Sequence, residues 1–219
     1  MAKIIIFGNG QLAEIAQFYI NRDTDHEITA FTVNAEFIEK ETFNGIPVVP
    51  FGTITSQFPP DTYQMFMPIS YRKVNLLREE KYLQAKSMGY SFISYISSKA
   101  SYYGTPVGEN CFIFENNVIQ PFSKIGDNVI LWSGNHIGHH SEIQDHCFIT
   151  SHVVISGSVV VGRNSFIGVN ATIRDNIAIG KRNVIGAGSV ILHNTDDDQV
   201  FSPGQTPVKT INSDQLKRI

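Results

Sequence analysis

The sequence predicts two unlike domains in 219 residues: a small open α/β sheet of Rossmann-like type over residues 1–95, then a coiled parallel β-prism over 96–195, with a tail at 196–219. Two observations carry this. Lys3–Phe7 is an apolar run that breaks into Gly8-Asn9-Gly10 and then a helical pattern, and from Val107 to Ile191 an aliphatic residue returns at every sixth position.

Lys3 to Phe7 reads as a buried parallel strand. Gly8, Gly10 and Gln11 form a turn into a helix whose apolar residues Leu12, Ile15, Ala16 and Tyr19 share one face. Such a turn offers backbone N–H groups and a helix N-terminus to phosphate. A second strand is expected near Ile28 to Val33, a third near Tyr63 to Ile69, and a helix over Val74 to Met88. The dinucleotide form of this unit carries an acidic residue at the end of the second strand, where this chain has Asn34, so NAD is disfavoured. The turn has two readings: strand-to-helix packing only, or a cradle for the diphosphate of a nucleotide-linked sugar.

The repeat comprises fifteen hexapeptides with no exception in the aliphatic column. Glycine follows the aliphatic residue at Gly108, Gly126, Gly138, Gly162, Gly168, Gly180 and Gly186, where backbone must approach closely. The fifth position is small, as at Cys111, Ser123, Ser141, Cys147 and Ala171, which suits a narrow interior. The fourth holds Asn110, Asn116, Asn128, Asn164, Asn170, Asn176 and Asn194, two glycines, and His140, His146 and His152. These types best tolerate positive φ, so each hexapeptide is read as a short strand and a corner.

Composition narrows the function classes. The net charge is −3 with 20 acidic and 17 basic residues intermixed, leaving no basic stripe for nucleic acid. No apolar run approaches the roughly 20 residues of a membrane span, and the N-terminus lacks a signal-peptide core, so membrane insertion is not expected and a cytoplasmic protein is. Cys111 and Cys147 lie two turns of the repeat apart on one inward column, beyond disulfide reach, and read as packed thiols.

Six of the seven histidines fall in the repeat. His140, His146 and His152 take corner positions, which geometry explains without chemistry; His136 and His193 have no partner that suggests a site. His139 stands at the third position of its hexapeptide, exposed at a corner near mid-prism, where a neighbouring subunit could close a cleft against it. An imidazole can accept a proton from an amine or hydroxyl at neutral pH, so His139 is either a general base or an exposed corner histidine. If three hexapeptides make a coil, as the resemblance given next implies, a zinc site would need histidines 18 apart on one corner; no pair is, and only His139 and His193 share a column, about 14 Å apart, so no metal is expected.

The pattern aliphatic, Gly or acidic, any two, small, any is similar to that of the hexapeptide-repeat superfamily. The resemblance implies a left-handed triangular β-helix of about five coils. The order of glycine-turn α/β domain, coils and a tail ending Phe201-Ser202-Pro203-Gly204-Gln205-Thr206-Pro207 resembles the sialic acid O-acetyltransferase-like sugar acetyltransferases, which include N-acetyltransferases of nucleotide-linked amino sugars. What it implies is an acetyl-CoA-dependent acyltransferase, a homotrimer with sites between subunits, acting on a nucleotide-linked amino sugar such as a dideoxy amino hexose for surface glycan synthesis. Its alternatives are sugar O-acetylation and a non-catalytic trimeric scaffold.

In that resemblance His139 is the base. The acid that usually follows it is replaced by His140, with Glu142 a nearby substitute, and a second family histidine falls on Phe148. Acetyl-CoA is expected against Gly157, Gly168, Asn170 and Ala187, with the Gly157 N–H facing the oxyanion. The nucleotide sugar is expected at Gly8, Gly10, Gln11, Asn34, Ser70, Tyr71 and Lys73.

Overall fold

The computed structural model describes residues 1–208 and 210; the rest of the tail lies outside the described residues. The N-terminal sheet holds β1 (Lys3–Phe7), β2 (Glu27–Val33), β3 (Thr42–Phe43), β4 (Ile46–Pro50) and β5 (Tyr63–Phe66) in the order β3-β4-β2-β1-β5. All pairs are parallel except β3 with β4. Ile4, Ile5 and Ile6 of β1 are wholly buried, as a central strand covered on both faces requires. Helix α1 (Gln11–Asp23) covers one face through Ala13, Ala16 and Ile20. Helix α2 (Leu76–Ser87) buries Arg78, Tyr82 and Ala85.

Three details differ from expectation. The third strand stops at Phe66, and the second helix starts at Leu76, after Lys73, Val74 and Asn75 with φ of 54°, 50° and 62°. A β3–β4 hairpin was not foreseen; its turn, Asn44-Gly45, has both φ positive (49° and 79°), the geometry that Asn-Gly favours.

The second domain is a left-handed parallel β-helix. Strands pair 18 residues apart, as Phe112 with Ile130, Val118 with His136 and Lys124 with Glu142, so three hexapeptides make one coil. The faces carry seven, six and four strands and are called first, second and third below, in the order of those three pairs. Partial coils extend the repeat: Tyr95–Ile96 and Ser101–Tyr102 precede it, and Val200–Phe201, within the segment read as tail, pairs with Val184–Ile185. Fourth-position residues from Asn110 to Gly188 have positive φ, including Phe122, Ser158 and Arg182. Asn194 is not among them, because the chain leaves the hexapeptide register there.

The aliphatic column and the small fifth-position residues fill the prism, and burial pushes the Cys111 and Cys147 thiols up to about 12, which keeps them protonated. The outer side of the first face is aromatic. Phe112, Ile130 and Phe148 bury against Phe31, Phe66 and Tyr95, and this contact docks the α/β domain on the prism. The second and third faces have no such cover: Val118, Val154 and Val190 stay exposed on the second, and Val160 on the third.

Candidate functional site

The corner joining the second and third faces carries His139. Its backbone N–H donates to Gln120 Oε1 at 2.9 Å, and its ring lies over Gly157, one coil on. A Cβ at residue 157 would stand 2.7 Å from His139 Cε1 and 2.8 Å from Nε2, so a glycine there lets the ring lie flat. His139 Nδ1 is 3.1 Å from His140 Nδ1. The His140 ring in turn meets Phe122 at a centroid distance of 4.9 Å. Among the described residues no hydrogen bond joins Glu142 to His139; Glu142 lies in the first strand residue after the corner, paired with Lys124 and Val160. The partner of the imidazole is therefore His140, and a purely backbone account of that residue is incomplete.

The expected acetyl-CoA residues divide. Gly157 shares the His139 corner. Gly168, Asn170 and Ala187 share the corner between the first and second faces, across the strip of Val118, His136, Val154, Thr172 and Val190. Gly168 is fixed by coil packing, since a Cβ there would stand 2.5 Å from the Ala187 nitrogen. Asn170 and Ala187 are exposed; a Cβ at Gly188 would meet open space, whereas Gly186 is packed under Phe201 and Pro203.

The glycine turn forms a cleft of 650 Å³ outside the carboxyl ends of β1 and β2, where β2 and β5 leave β1 in opposite directions. It is lined by Gly8, Gly10, Gln11, Asn34 and Ser70 of the expected set, and also by Phe37, Arg72 and Lys81, which sequence reasoning missed. Tyr71 and Lys73 are not in it. Tyr71 packs on Phe148 and Phe166 at 5.1 and 4.7 Å, and Lys73 takes the left-handed turn before α2. Gly8 has a packing reason, with φ of 124° and a Cβ that would stand 3.2 Å from Ala13. Gly10 has none: a Cβ there meets nothing within 4 Å. Asn34 donates from Nδ2 to Glu36 Oε1 at 3.1 Å, so a carboxylate stands beside the position where an acid was expected.

The third corner, between the third and first faces, is closed by α2. Met67 N–H donates to Asn110 Oδ1, Asn110 Nδ2 to Asn128 Oδ1, and Asn128 Nδ2 meets His146 Nδ1 at 3.0 Å. Arg78, wholly buried, donates to the carbonyls of Ile69 and Asn128, and Asn75 Nδ2 to those of Asn164 and Ser165. Burial, opposed by nearby Glu79 and Asp145, holds the His146 imidazole below its ordinary range. His146 thus has an interdomain role that its corner position did not reveal.

Since the α/β domain sits on the first face, the His139 corner lies opposite, about 15 Å away across a triangle with edges of six residues. The cleft is lined by residues of the α/β domain alone, and His139 lies on the prism corner away from the docked face. No group of three or more metal-ligating side chains occurs among the described residues, and no helix among them is long and apolar enough to cross a membrane.

Residues 105–139, 122–157 and 158–193 match the family described as bacterial transferase hexapeptide (six repeats). No curated protein sequence matches significantly. Among solved structures, a histidine-to-asparagine variant of perosamine N-acetyltransferase from Caulobacter crescentus, in complex with CoA and GDP-perosamine, aligns with a TM-score of 0.80 at 23% identity, covering 91% of this chain and 93% of that one. The acetyltransferase domain of PglB from Neisseria gonorrhoeae FA1090, in complex with acetyl coenzyme A, aligns with a TM-score of 0.78 at 19% identity over 90% and 94%. WeeI from Acinetobacter baumannii AYE aligns with a TM-score of 0.70 at 16% identity over 91% and 96%. The family match lies within the prism, and over 90–91% of the chain the fold is that of these solved structures.

Proposed function

We propose that the protein is an acetyl-CoA-dependent N-acetyltransferase of a nucleotide-linked amino sugar, working as a homotrimer. The observation that carries the reading is the pairing of an exposed imidazole seated on a glycine, His139 on Gly157, with a phosphate-type cleft whose Gly10 has no packing reason. The relatives of this fold that hold CoA or GDP-perosamine support it by analogy.

In this reading Gly8, Gly10 and Gln11 hold the diphosphate at the α1 N-terminus, Arg72 and Lys81 balance its charge, and Asn34 with Glu36 faces the nucleoside. Acetyl-CoA supplies an activated acyl group, and the exposed corner at Asn170 and Ala187 suits its extended arm. His139 Nε2 takes a proton as the sugar nitrogen bonds to the thioester carbon. The Gly157 N–H faces the oxyanion; the carbon–sulfur bond then breaks, and His139 returns its proton to the thiolate sulfur. No covalent enzyme intermediate is needed, and Cys111 and Cys147 are sealed inside the prism.

Cleft and base belong to different copies. Within one chain the cleft lies on the α/β domain and His139 on the prism corner away from it, and exposed Val118, Val154, Val160 and Phe122 surround His139 with uncovered apolar surface that a second prism would bury. Thiol release from acetyl-CoA against UDP-, dTDP- and GDP-linked 3- and 4-amino sugars tests the assignment. Turnover on one amino sugar, lost in His139→Ala, supports it; turnover only on hydroxyl sugars makes it an O-acetyltransferase; silence on both leaves a trimeric scaffold. The cytoplasm, where nucleotide sugars are made, is the expected compartment.

A further inference from the structure

We propose that His140 is a positioning residue for His139: its neutral Nδ1 accepts a hydrogen bond from His139 Nδ1–H and so leaves the lone pair of His139 on Nε2. The proposal rests on the reading of His139 as the base. The two Nδ1 atoms are 3.1 Å apart, a hydrogen-bond distance at which one nitrogen must donate and the other accept. If His139 donates, its Nε2, the atom over Gly157, is free to take a proton. If His140 donates, His139 Nε2 must carry hydrogen and cannot act as a base.

Two further observations fix the two rings in this geometry. His139 is held by its own backbone, with its N–H on Gln120 Oε1 and its carbonyl accepting from Ser158 N–H, so the ring is aimed by the chain. Phe122 is 73% exposed with φ of 66°, a strained conformation for a bulky residue, and its ring lies against His140. The Phe122 ring packs on one side of His140 and limits how that imidazole can turn.

The surroundings are otherwise free of charge. Among the described residues no carboxylate or cation touches either ring; Glu142 heads the next strand, and Arg174 and Asp175 stand two coils away on the same corner, about 9 to 10 Å. A neutral acceptor orients the base without an anion to stabilise its imidazolium.

Because His140 sits at a corner with φ of 59°, its backbone and acceptor roles can be separated. Glycine and asparagine both tolerate that φ, and only asparagine retains an acceptor. His140→Gly is expected to lower kcat about 10- to 100-fold, part of the 10²–10⁴ that a general base supplies, with KM for acetyl-CoA unchanged. His140→Asn should recover activity to within a few-fold of the parent. His140→Asp should also be active, with the acid limb of its pH–rate profile moved to higher pH, since an anion favours the protonated base. Long-range ¹⁵N correlation spectra of the whole protein report the tautomers without any need for turnover. The expected result is His139 with its proton on Nδ1, lost as a single form in His140→Gly. A proton on His139 Nε2, or equal kcat in the glycine and asparagine variants, overturns the proposal. The tautomer result stands even if no sugar is turned over, so failure of this inference and failure of the acetyltransferase reading are distinguishable.

Discussion

Two corners of the prism are built from the same hexapeptide slots and the same positive-φ backbone, yet they do different work. At the corner between the third and first faces, Asn110, Asn128, His146 and Asn164 are buried beneath α2; the first three are joined in a ladder of hydrogen bonds, and Asn164 donates to Glu79 of α2. At the corner between the second and third faces, His139 and His140 are exposed, and among the described residues their rings bond only to each other. The repeat dictates the bend of the chain; what lies over the bend decides whether a polar side chain becomes a strut or a reagent. Substitutions at the two corners should therefore divide into losses of rate and losses of stability.

The largest effect is expected at the open corner. His139→Asn should lower kcat by roughly 10²–10⁴ with thermal unfolding unchanged, because the ring is exposed and leaves no buried group unpaired. Steady-state kinetics beside a melting curve checks both halves. At the closed corner Arg78→Met should do the opposite. It leaves the Ile69 and Asn128 carbonyls without their donor in a buried interface, at a cost on the order of 3 kcal/mol in urea denaturation. An unchanged midpoint would show that α2 docks without the arginine.

A pair of glycines sharpens the contrast. Gly157→Ala pushes on a side chain, the His139 ring, which can swing into solvent; about a ten-fold loss of kcat with little loss of stability is expected. Gly168→Ala pushes on the Ala187 backbone, which cannot move alone, and should cost about 1–3 kcal/mol. Similar unfolding shifts in the two would break the distinction.

The smallest effect concerns pH. Burial holds His146 below the ordinary histidine value of 6.5, so below that pH the unfolded chain binds more protons than the folded one. Folding stability should then fall as pH drops below 6.5, until the folded-state His146 itself titrates. His26, also lowered by burial, contributes in the same sense. His146→Asn keeps a corner residue that tolerates the φ of 63° and removes one proton-binding group. Its stability should depend less on pH between 5 and 6.5 than the parent's, as urea midpoints at several pH values would record.

Much of this was legible in the chain. The period of six marks every corner from Asn110 to Gly188, because backbone curvature repeats with the residues that allow it. The Gly8-Asn9-Gly10 turn marks the cleft for the same local reason. The Asn44-Gly45 hairpin carried its own signal, a turn dipeptide ahead of Ile46-Pro47-Val48-Val49, and was passed over. Other features have no local signal. Nothing near His146 or Arg78 in sequence tells that both lie at this interface, since the hydrogen bonds across it join residues 43 to 90 positions apart. Tyr71 and Lys73 sit beside the cleft in sequence yet outside it in space, because the left-handed run Lys73–Asn75 turns the chain onto the prism.

The central claim is that the cleft of one copy serves the His139 of another. Mixing two inactive proteins tests it directly: His139→Ala, which has no base, and Gly10→Asp, which puts a negative charge in the phosphate cradle at a site where a side chain meets open space. After subunits are exchanged by mild denaturation and refolding, random assembly at equal amounts gives each site a sound cleft and a sound base with a chance of about one in four. Recovery of about a quarter of parent activity is the predicted result. Mixed assemblies that form, as shown by mass, and stay inactive would contradict it.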